Sequence, residues 1–167
     1  MQKVVGRALR AEVQREVMAR FSPSAAHVKD VTRPPGSVIY RLTDLRRGRL
    51  FVLIQPAPNV DSFTVEVAVS PSSDTYPWHG EQMWSSDLEP SQLPPTVRFR
   101  IGVAVGQSDL WWNLQTEAMR SHFPVEEDFN VIDYILRPSN PEAAVRRVPA
   151  AIADAMNLVQ QVIAQLE

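Results

Sequence analysis

The chain has 167 residues, 44% of them hydrophobic and 22% charged, with a formal net charge of −2. That length suits a single domain over residues 1–167, whose core would cover roughly 70% of the surface exposed on unfolding. The absence of cysteine excludes disulfides, thiolate metal ligands and cysteine nucleophiles.

No apolar run approaches the ~18 residues of a membrane span, and the start, MQKVVGRALRAEVQRE, is too charged for a secretory signal. A cytoplasmic protein with no membrane contact is the expectation. Charge is spread unevenly. Residues 1–50 hold eleven Lys/Arg against four Asp/Glu, residues 51–97 none against six, and residues 98–167 six against nine. A basic end can signal nucleic acid or another anionic partner. The solvent face of one helix and one basic turn explain much of it and are the preferred account.

Val4 to Phe21 reads as an amphipathic helix, because Val5, Leu9, Val13, Val17 and Phe21 recur every four residues. Ser22-Pro23-Ser24 stops it, since proline cannot donate the next helical bond. Arg33-Pro34-Pro35-Gly36 is a turn. Ser37–Thr43 follows as a strand with Val38, Tyr40 and Leu42 on one face. The turn Asp44-Leu45-Arg46-Arg47-Gly48, with Gly48 free to take a positive φ, leads into a second strand over Arg49–Gln55. Pro56–Asp61 closes a further hairpin onto Ser62–Ser70. There Phe63, Val65, Val67 and Val69 alternate with Thr64, Glu66 and Ala68, the period of a half-buried antiparallel strand.

Pro71 to Pro95 is long and irregular, with five prolines, two tryptophans and no basic residue. Its tryptophans argue against disorder, so it should fold back on the body. Thr96–Val105 alternates again and predicts a fourth strand. Gly106–Asp109 turns the chain, and Asp109 is placed to cap a short helix beginning Leu110-Trp111-Trp112. Residues 125–137 fit either a helix or a fifth strand. Asn140 as cap, Pro141 at the first helical position and apolar residues from Val145 to Leu166 mark a final helix, with a kink or break at Pro149. Its seven-residue repeat could pair with a second copy, but the sheet needs a cover and is the better partner.

No catalytic or metal signature is complete. His27, His79 and His122 are isolated. Grouping His79 and His122 with Glu126, Glu127 and Asp128 has no spacing to support it beyond a helix start that favours acids. Gly106-Gln107-Ser108-Asp109 lacks the second glycine of a nucleophile elbow, and an ordinary turn explains it. No Walker A, dinucleotide or H-E-x-x-H motif occurs, so no cofactor is implied.

Two sets of residues are candidates for binding. Arg41, Thr64, Glu66, Arg98 and Arg100 project from the polar face of the sheet. Arg98 and Arg100 lie roughly 7 Å apart by strand rise, a spacing suited to an anion; a solvated face with Glu66 pairing one arginine across strands is the plainer account. Trp78, Trp84, Trp111 and Trp112 form the second set. Neighbouring tryptophans are hard to bury on one side, so Trp111 or Trp112 is expected to be partly exposed, as at protein interfaces. The alternative is that one caps the core while the other covers a sheet edge.

The order VIYRL, FVLIQ…DSFTVEVAV, RFRIG…DLWWNL between two helices resembles a bacterial family of small α+β domains without an assigned activity. Matching positions are Gln55, Phe63-Thr64-Val65, Arg98-Phe99-Arg100-Ile101-Gly102 and Trp111-Trp112, while Pro56-Ala57-Pro58 and Glu66 depart from the family's serine and asparagine. The resemblance implies fold and element order only.

The expectation is therefore an α+β domain with four or five antiparallel strands and the N- and C-terminal helices on one face. It would be a monomer or weak homodimer acting as a non-enzymatic binding module. A protein partner would engage the open sheet face and the Trp-bearing loops. The alternative is a small-molecule site or enzyme gripping an anion with Arg98, Arg100 and Glu66. Nucleic acid ranks last, because the basic turn Arg46-Arg47-Gly48-Arg49 lies apart from the aromatics.

Overall fold

The computed structural model describes residues 1–30, 32–83, 92–107, 109–116, 119–121 and 140–167. Two helices cover one face of a mostly antiparallel sheet, as the patterning predicts. Helix α1 spans Lys3–Phe21 and buries Val5, Leu9, Val13 and Val17, the apolar stripe of the sequence. Strands β2 (Val38–Leu45), β3 (Gly48–Pro56) and β4 (Ser62–Ser70) form the expected meander. Gly48 takes φ +134°, and a Cβ there would run into the Ser70 carbonyl, so the two-residue turn at Arg46-Arg47 depends on it.

The sheet has more strands than the four or five expected. Short segments β1 (Ala26–His27), β5 (Glu81–Met83), β7 (Trp111–Asn113) and β8 (Arg120–Ser121) join β2, β3, β4 and β6 (Val97–Arg100), giving eight among the described residues. The short ones escape notice because two or three residues carry no readable period. One pairing is parallel, β5 with β6.

The chain departs from the expected strand Thr96–Val105 at Arg100. From Ile101 to Ala104 it coils into the single turn α2, and the Gln107 N–H then donates to the Gly102 carbonyl at 2.8 Å. A Cβ on residue 102 would lie 2.9 Å from the Gln107 oxygen, so the glycine is what lets the chain fold back. The next element is also corrected: Trp111–Asn113 is a strand and not a short helix, and Asp109 receives the Trp111 indole N–H at 2.8 Å instead of capping.

Helix α3 runs Pro141–Leu166 without a break. Asn140 caps it as predicted, accepting from the Ala143 N–H at 3.0 Å. Pro149 is exposed, while Val148, Ala151 and Ile152 on either side of it are buried, and that burial keeps the helix continuous past the proline. The α1 and α3 stripes meet the helix-side faces of β2, β3, β4 and β6 in one apolar core. Arg20 of α1 ties the helices at their far ends, donating to Asn157 at 2.7 Å and to Gln160 at 2.9 Å. Residues 125–137, His122, Ser108 and Trp84 lie outside the described residues.

Candidate functional site

The second face of the sheet was expected to be open and is largely covered. Every residue of β4 is buried. Ile39, Phe51, Leu53 and Ala68 form a second, smaller apolar cluster, roofed by Tyr76 and flanked by Trp78 from the loop after β4. Tyr76 meets Phe51 edge-on at 6.3 Å and lies 4.6 Å from the Trp78 ring. The Trp78 indole N–H donates to Asp30 at 2.6 Å. The described part of the Pro/Trp loop therefore does fold back on the body, as the tryptophans suggested.

Beside this roof lies the polar group that the sequence singled out. Glu66 is directly opposite Arg100 across β4 and β6, and Arg98 is opposite Ala68. Glu66 is 3% exposed. Its Oε1 accepts from the Tyr76 hydroxyl and from Arg98 Nη1, the latter at 3.3 Å, and its Oε2 lies 3.9 Å from Arg100 Nε. Arg98 also donates to the Gly80 carbonyl and to Gln82, both at 3.3 Å. Burial, together with the charge and hydrogen bond of Glu66, pushes the Tyr76 phenol well above its ordinary value.

Arg100 is held differently. Its guanidinium makes no hydrogen bond among the described residues, and Nη1 is buried with no partner. Its only described neighbours of opposite character are Glu66, at ion-pair distance, and the Trp111 ring, 5.8 Å from the guanidinium carbon. A separation of 3.9 Å is too long for a hydrogen bond. Two cations thus share one carboxylate, and the donors of one of them are unused.

Arg100 and Trp111 are neighbours because β4 is lined along one edge by two strands placed end to end. Strand β6 pairs with Glu66–Val69 and β7 with Ser62–Thr64. The chain leaves the sheet after Arg100, turns through α2, and re-enters on the same line at Trp111.

Arg41 is not part of the group. It faces Phe51, with Ala68 and then Arg98 beyond, a gap of three strand spacings, about 14 Å. Trp111 and Trp112 are both buried, at 9% and 0% exposure, contrary to the expectation that one would be exposed. Adjacent strand residues point to opposite faces, so each enters a different layer. Trp112 stacks on Phe63 at 5.2 Å and donates its indole N–H to Asp154 of α3 at 2.8 Å. Burial would raise the Asp154 carboxyl, but hydrogen bonds from Arg120 and Trp112 and the Arg120 charge bring it below its ordinary value. Tyr76 and Gln82 are the members of the polar group that sequence reasoning missed; a tyrosine in a Pro/Trp loop was the only available signal for the first.

Of the remaining histidines, His27 packs edge-on against Tyr40 at 5.3 Å, and burial, then Arg33 and Lys29, depress its pKa. Among the described residues no three His, Asp or Glu side chains converge as metal ligands, and no helix is long and apolar enough to cross a membrane.

These features define an α+β protein with a helix-covered antiparallel sheet and a cation-rich polar group on its opposite face. Compared with protein-family models, curated proteins and solved structures, the chain matches none.

Proposed function

We propose that the protein binds a small oxyanion, a carboxylate or phosphate group, at Arg100 beside Arg98 and Glu66. The observation that carries this reading is the unused guanidinium of Arg100, four-fifths covered yet without a hydrogen bond among the described residues. A buried donor left unpaired is costly, and a planar guanidinium is suited to grip an oxyanion through paired N–H groups. The Trp111 ring would form one wall. Glu66 is already committed to Tyr76 and Arg98, so the reading is of binding without turnover.

A protein partner has less to support it, since Trp111 and Trp112 turn inward and Trp78 lies against Tyr76 and Asp30. The test is calorimetric titration of the full chain with inorganic phosphate and with acetate. One of the two should bind, and Arg100→Met should weaken it at least tenfold while the circular dichroism spectrum is kept. Absence of binding for both anions, or equal affinity in the variant, would reject the proposal.

A further inference from the structure

A groove of about 410 Å³ opens between the first turns of α1, the turn before β2 and the β3–β4 turn. That volume lies in the range of small-molecule sites, ~300–1,000 Å³. Pro34 and Pro35 line it on one side and Pro56 and Pro58 on another. From α1 come Lys3, Gly6 and Arg10. Its lining contains these two cations and no acidic residue. Both are exposed, and neither has an ion pair or hydrogen bond among the described residues. Lys3 opens a helix with no acid in its first turn, where the helix dipole disfavours positive charge.

We propose that this groove takes a single-chain amphiphile with a carboxylate head, a long-chain carboxylate, with its alkyl chain along the prolines and its head between Lys3 and Arg10. Three observations favour this occupant. Charge complementarity asks for an anion. The four prolines have no N–H to offer a peptide's carbonyls, whereas an alkyl chain needs none. Finally, a glycine inside a helix weakens it, and the packing at Gly6 does not require one. A Cβ there would meet only ordinary contacts, 3.6 Å from Arg10 Nη1 and 3.8 Å from Met1 Sδ. What the glycine does is leave the groove open.

The experiment is titration calorimetry of the full chain with laurate below its micellar concentration, with dodecanol as the uncharged comparison. Laurate should bind and dodecanol should bind at least tenfold more weakly. The surface double variant K3Q/R10Q should lose at least tenfold in laurate affinity. Gly6→Leu should abolish binding with no fall in the thermal midpoint. Arg100→Met should leave laurate affinity as it was, which separates this site from the oxyanion site on the sheet. No binding of laurate, dodecanol binding as tightly, unchanged affinity in K3Q/R10Q, or loss of laurate in Arg100→Met would overturn the proposal.

Discussion

Arg100 and Tyr76 occupy the same buried polar group and are held in opposite ways. The Tyr76 hydroxyl is satisfied by Glu66, so Tyr76→Phe removes the donor of one buried hydrogen bond and should cost about 1–3 kcal/mol, read as a lower urea midpoint. Because its phenol is pushed up by burial first and Glu66 second, the folded state holds its proton where the unfolded chain has lost it. The stability this confers is complete below the ordinary tyrosine value of about 10 and declines as pH rises above that value. Tyrosinate absorbance should therefore show one residue titrating only together with unfolding, and Tyr76→Phe should remove that phase. Arg100 has no hydrogen bond among the described residues to lose, only a long ion pair to a Glu66 that keeps Tyr76 and Arg98, so Arg100→Met should lower the thermal midpoint less than Tyr76→Phe does while impairing anion binding.

Among the elements, the loop from Arg100 to Trp111 was the least legible and proves the most consequential. Val103 and Val105 continue the alternation of Thr96–Val105 and argue for strand, but Gly102 admits a reversal that a period-two pattern cannot report. Gly102→Ala places a Cβ 2.9 Å from the Gln107 carbonyl and 3.0 Å from Leu110 Cβ. It should destabilise by about 1–3 kcal/mol and, by shifting Trp111, weaken anion binding as well; unaltered melting would show that α2 is dispensable. The tie between β7 and α3 makes a second test. In Asp154→Ala the Trp112 indole N–H, in a residue with no exposure, loses its acceptor, at a cost of about 1–3 kcal/mol. Because the Asp154 pKa is depressed in the fold, its contribution is present above the ordinary aspartate value of about 3.9 and is lost as pH falls. The variant should accordingly show a shallower acid-side decline in urea midpoint than the unaltered chain.

Across the molecule, β4 is the axis: one face meets the helices, the other meets Tyr76 and the arginines, and all nine of its residues are buried. Trp112 joins that strand to α3 through Phe63 and Asp154, and Trp112→Ala should cost about 3–5 kcal/mol by urea denaturation. A loss under 1 kcal/mol would mean the helix layer is anchored elsewhere. Local periodicity was enough to read α1, the meander β2–β4, the cap at Asn140 and the positive φ at Gly48, because each depends on residues a few positions apart. It also placed Glu66, Arg98 and Arg100 on one face, since a strand's alternation is a local property. It could not show that the polar face has a roof, that both tryptophans are interior, or that Arg100 and Trp111 meet across an excursion of ten residues. Those outcomes depend on which segments pair along the free edge of β4, and pairing between distant segments is chosen by burial and backbone hydrogen bonding over the assembled sheet, to which no short window of sequence has access.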